Sequence, residues 1–74
     1  MVRVAILPDP DELYDLIASK YNVGAGSVLA AIWSLVDRTL GHCNMDQLQF
    51  VLDVLVEDGR IELTRDRHFV LRKR

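Results

Sequence analysis

The stretch LQFVLDVLVEDGRIEL, residues 48–63, holds the change of pattern that decides the fold. Over residues 48–56, Leu48, Val51, Leu52, Leu55 and Val56 recur at the three- and four-residue spacing of one helix face. Gly59 ends that run, and the period then drops to two. Ile61 and Leu63 face one way, Glu62 and Thr64 the other. Phe69 and Leu71 repeat the alternation on a return strand, with His68, Val70 and Arg72 opposite. Pairing Leu63 with Phe69 and Ile61 with Leu71 puts four apolar side chains on one sheet face and leaves Arg65-Asp66-Arg67 as the turn. Such a turn usually has glycine at its left-handed position. None is present, so either Asp66 or Arg67 adopts that conformation or the loop is longer. The expected strands run near 60–64 and 68–72.

Upstream, Asn44-Met45-Asp46-Gln47 has the pattern of a capping box and opens a helix over 45–58. Before it, Val28, Leu29, Ile32, Leu35, Val36 and Leu40 cover a broad apolar arc with Trp33 at its edge, which predicts a central helix over 27–40 stopped by Gly41. Asp9-Pro10-Asp11-Glu12 starts a helix over 10–21: Asp9 can cap it and Pro10 suits its first position. Leu13, Leu16, Ile17 and Tyr21 share its inner face. Residues 22–26 carry the turn between these two helices. Gly24-Ala25-Gly26-Ser27 lacks the lysine and the preceding strand of a phosphate loop and reads as a plain interhelix turn. At the start of the chain, Val2, Val4 and Ile6 alternate with Arg3 and Ala5, the period of a half-buried strand that stops at Pro8.

The run Leu55-Val56-Glu57-Asp58-Gly59-Arg60-Ile61, with the turn and Phe69-Val70-Leu71 behind it, resembles the last helix and wing of winged helix-turn-helix domains. In that superfamily the third helix ends in a leucine, variable, acidic, glycine, basic, isoleucine run before the hairpin. The resemblance covers residues 27–72 and is one of fold, without a catalytic or specificity motif. It implies a mainly α fold with a small β-hairpin, a three-helix winged-helix domain over residues 1–74. The strand over Met1–Leu7 departs from the commonest order, in which the small extra strand lies between the first two helices. It could still join the wing as a third strand.

With 74 residues there is room for one core, and such a chain buries only about 60–65% of its unfolded surface. Half the residues are apolar, which argues against disorder. The single cysteine, Cys43, rules out an internal disulfide and fits a reducing compartment. The longest apolar run, residues 27–36, is too short for a bilayer, and the N-terminus lacks the marks of a signal peptide. A cytoplasmic, intracellular location without membrane contact is expected. Charge is unevenly placed: residues 1–59 hold nine acids and three bases, a net −6, and residues 60–74 hold six bases and two acids, a net +4.

Enzyme chemistry finds little support. His42 and Cys43 are adjacent, but zinc needs two further ligands, and His68 is the only other histidine. Adjacency also gives Cys43 no positioned base. No catalytic residue, metal or cofactor is expected. Winged-helix domains that bind DNA place the third helix in the major groove and the wing on the backbone. Here the outer face of that helix is Asp46, Gln49, Asp53 and Glu57, flanked by Phe50, and the carboxylates would be repelled by phosphate. The bases gather instead at Arg65, Arg67, His68, Arg72, Lys73 and Arg74. The leading expectation is a regulatory binding module that touches DNA backbone through this basic wing and tail. The alternative is a protein-interaction module or assembly subunit that uses Asp46, Gln49, Phe50, Asp53 and Glu57. Phe50 and Val54 lie off the buried arc; cover by the N-terminal strand or first helix is favoured over an interface. If they stay exposed, they would support a homodimer.

Overall fold

The computed structural model describes residues 7–72. Its elements follow in the order α1 (Pro10–Lys20), β1 (Gly26–Val28), α2 (Leu29–Thr39), α3 (Met45–Glu57), β2 (Ile61–Leu63) and β3 (His68–Leu71). The three strands form one antiparallel sheet in the order β1-β3-β2, so the last strand in the chain is the central one.

The start of α1 follows its sequence. Asp9 is extended and accepts a 2.8 Å hydrogen bond from the Asp11 amide, and Pro10 fills a position that needs no donor. Asp11 and Glu12 sit at the positive end of the helix dipole and Lys20 at the negative end. Asn44 is the N-cap residue of α3, as its sequence suggests, but its side chain makes no capping hydrogen bond.

The beginning of α2 corrects the sequence reading. The expected helix over 27–40 starts only at Leu29, because residues 26–28 are extended and pair with β3. Gly26 lies opposite Val70, Ser27 opposite Phe69 and Val28 opposite His68. Val28 fits a helical arc and a strand equally well, so periodicity could not separate the two. The open edge of β3 decides the matter by supplying backbone partners. Gly26 permits the approach, since a Cβ there would lie 3.2 Å from that of His68. The segment read as a plain interhelix turn therefore leads into a strand. The third strand of the described sheet lies between α1 and α2. Residues 1–6 of the expected N-terminal strand lie outside the described residues, and Leu7 belongs to no strand.

The hairpin register agrees with the alternation: Ile61 faces Leu71 and Leu63 faces Phe69. Ile61, Phe69 and Leu71 enter the core, whereas Leu63, beside the turn, is 44% exposed. Leu48, Val51, Leu52 and Leu55 of α3 are buried against Leu13 and Ile17 of α1, Ile32 and Val36 of α2, and the sheet. Leu16, Tyr21, Leu29, Trp33, Leu40 and Val56 pack at its edge. Tyr14, absent from the sequence-derived face of α1, is buried too. Among the described residues, no helix is long and apolar enough to cross a membrane.

Leu52 has no exposed surface and sits at the centre of the α3 stripe. Leu52→Ala is expected to cost about 2–5 kcal/mol, a large part of a small domain's total stability. Chemical denaturation measures this; an unchanged midpoint would place Leu52 outside the core.

Candidate functional site

The wing turn is built by its backbone. Thr64 N–H donates to the His68 carbonyl at 2.9 Å, Arg67 N–H donates to the Thr64 carbonyl at 3.0 Å, and Thr64 Oγ1 accepts from the His68 amide at 3.2 Å. Closing this loop puts Arg67 at φ 61°, the left-handed region. Of the two residues the sequence offered for that conformation, Arg67 takes it. A side chain there is strained, and the conformation directs Arg67 onto a groove beside the wing.

The basic residues divide into engaged and unengaged groups. Arg60, which begins the basic segment, is bound to Asp11 of α1 and, at 3.0 Å, to Asp58. Hydrogen bonds to these two carboxylates raise its pKa further, and its guanidinium lies 5.6 Å from the centre of the Tyr14 ring. Arg60 thus joins α1 to the start of the hairpin. Arg72 pairs with Glu62 across the hairpin at 3.2 Å, with both partners half exposed, so the pair is weak. The Arg72 carbonyl also accepts a 2.8 Å hydrogen bond from the buried Tyr14 hydroxyl. His68 is a strand residue with its ring Nδ1 3.1 Å from the Asp66 carbonyl oxygen. Arg65 and Arg67 are exposed and form no ion pair among the described residues. Lys73 and Arg74 lie outside the described residues.

The outer face of α3 is as acidic as the sequence implies. Asp46, Asp53 and Glu57 are exposed, and Gln49 donates a 2.9 Å hydrogen bond to Asp53. Phe50 corrects an expectation: it is 63% exposed, so neither α1 nor any other described element covers it. Val54 is half-buried. Between the wing and the first turns of α2 and α3 runs an open groove of about 600 Å³, lined by Val28, Leu29, Met45, Leu63, Phe69 and Arg67. Sequence reading missed it, because β1 and the exposed side of Leu63 bring it into being. Met45, apolar but outside the buried stripe of α3, was the available signal, since Val28 and Leu63 read as members of buried faces.

The His42-Cys43 pair has a structural role. His42 lies 3.7 Å from Asp37, and the carbonyl of Cys43 accepts a hydrogen bond from the Trp33 indole. The Cys43 thiol is fully buried, and burial pushes its pKa up, which disfavours the nucleophilic thiolate. Among the described residues, no group of three or more His, Cys, Asp or Glu side chains could hold a metal ion. No protein family, curated protein or solved structure gives a significant match to the chain.

Arg67→Gly is expected to stabilise the fold by about 0.5–1 kcal/mol. Glycine relieves a left-handed strain of about 1–2 kcal/mol and loses part of that gain to a freer unfolded chain. Thermal denaturation of the variant measures this, and a lowered midpoint would show that the Arg67 side chain stabilises the turn. Tyr14→Phe removes the hydroxyl that donates to the Arg72 carbonyl and is expected to cost about 0.5–1.5 kcal/mol in the same measurement; no loss would make that bond energetically idle.

Proposed function

We propose that this chain is a winged-helix binding module that grips nucleic-acid backbone through its wing and C-terminal tail, in a regulatory role, and does not insert α3 into a groove. The element order supports the winged-helix reading, because the small strand β1 lies between α1 and α2 and pairs with the returning strand of the hairpin. One observation carries the functional reading. The exposed cations of the wing turn, Arg65 and Arg67, have no carboxylate partner among the described residues, whereas Arg60 and Arg72 do. Lys73 and Arg74 extend the same basic segment in sequence. Phosphate contacts of this kind position a protein without reading bases, so the binding is weakly sequence-specific. The carboxylates on the outer face of α3 keep that helix away from phosphate.

Titration of generic duplex DNA at several salt concentrations tests this reading. Two to four neutralised phosphates give a log–log salt slope of roughly −2 to −4. The double variant Arg65→Ser, Arg67→Gly keeps the turn conformation and removes both charges. It is expected to weaken binding to all sequences alike and to flatten the slope by about 1.8. Asp53→Lys should change little. If the unmodified chain shows no salt-sensitive binding to duplex or single-stranded nucleic acid at low salt, the reading fails. A protein-interaction module acting through Asp46, Gln49, Phe50, Asp53 and Glu57 then takes its place, a role that the exposure of Phe50 favours.

A further inference from the structure

Asp46, Phe50, Asp53 and Glu57 lie four, three and four residues apart, so they form one stripe along α3, on the side away from buried Leu48, Leu52 and Leu55. The stripe is an aromatic knob set among three carboxylates. Exposed aromatic side chains are costly to leave in water and are common anchors of protein interfaces.

The same chain carries a surface of opposite character. Val28 and Met45, each 42% exposed, and Leu63, 44% exposed, line the groove between the wing and the helix starts. Arg67 lies on its wall, with Arg65 on the same turn. Asp66 also lines the groove, so the turn contributes a net +1. The first turn of α2 adds to this. Leu29 and Ala30 line the groove, and this helix has neither a side-chain cap nor an acidic residue in its first turn. Its positive end therefore faces the groove uncompensated. An apolar floor with a positive rim is the counterpart of an apolar knob with a negative rim.

From this complementarity we infer that the occupant of the groove is Phe50 of a second copy of the chain. Asp46, Asp53 and Glu57 of that copy meet Arg65, Arg67 and the amino end of α2. Knob and groove both flank α3, since Gln49, next to Phe50 in sequence, and Met45, in the first turn, line the groove. One two-fold axis can therefore make both insertions at once, which is the closed and self-complementary arrangement. The inference deepens the protein-interaction role of α3; because the dimer engages Arg65 and Arg67, it competes with phosphate for these two residues, and its test needs no nucleic acid. In the dimer the carboxylates of α3 turn towards the partner. A contact built on one aromatic side chain per partner belongs to the weak class of interfaces.

Sedimentation equilibrium of the full chain, from about 10 µM to 1 mM, tests the inference, since weak contacts populate dimers only at the upper end of that range. The average mass should rise from one chain towards two, and added salt should oppose the rise. Phe50→Ser alters an exposed side chain and should leave the helical circular dichroism intact while holding the chain monomeric. Met45→Glu places an acid in the groove, at a helix position that tolerates one, and should do the same. An equimolar mixture of the two variants retains one intact knob and one intact groove, and should recover part of the association. A wild-type chain that stays monomeric at 1 mM overturns the inference. So does a dimer that survives Phe50→Ser, or a mixture no more associated than its components, as stacking of Phe50 on Phe50 would give.

Discussion

Pairing on both edges of β3 is the constraint from which the rest of the structure follows. β1 and β2 are three residues each, and among the described residues neither has another strand to pair with. Phe69 and Leu71 enter the core from β3, and the backbone around them is fixed from several distant segments. Gly24, at φ 89°, brings its amide to the Leu71 carbonyl at 2.9 Å. The Arg72 amide donates to the Arg60 carbonyl at 2.8 Å, and Tyr14 bonds to Arg72 from α1. These partners are far apart in sequence, so much of the native structure closes only when the last strand arrives. Such non-local closure makes for slower folding than a plain helical bundle of this size.

Where the pattern had a single structural solution, the sequence could be read. The stripe of α3 and the alternation of Ile61, Leu63, Phe69 and Leu71 each fit one period only, and register followed from which face was apolar. The start of α2 was not legible, because Val28 satisfies two periods and only the edge of β3 distinguishes them. Tyr14 was missed for a related reason. It adjoins the apolar face of α1, and its burial depends on the Arg60 guanidinium and the Arg72 carbonyl reaching it from distant positions. At the candidate site the charges could be counted from the sequence, but their pairing could not. Arg60 and Arg72 look the same as Arg65 and Arg67 until the fold brings Asp11, Asp58 and Glu62 beside the first two. The exposure of Phe50 depends on what lies over α3, which helical periodicity does not encode.

Division of charge along the chain becomes a division in space. Arg60 is engaged at the surface of the fold, where its planar fork meets two carboxylates and its face lies over an aromatic ring. The acidic stripe of α3 and the cationic wing turn remain as separate surfaces, with an apolar groove against the wing. A domain of this size has little interior to vary, and this one carries its distinguishing chemistry on its surface.

The position of Cys43 gives the molecule a built-in reporter. Its thiol is the only one in the chain and has no exposed surface in the folded state. A thiol-modifying reagent can reach it only when the loop before α3 opens or the core comes apart. Under rapid reclosing, the rate of modification then reads the free energy of that opening directly. Trp33, the single indole, donates to the carbonyl of the same residue. Chemical labelling and fluorescence would thus observe one and the same joint between α2 and α3, without any residue having to be introduced.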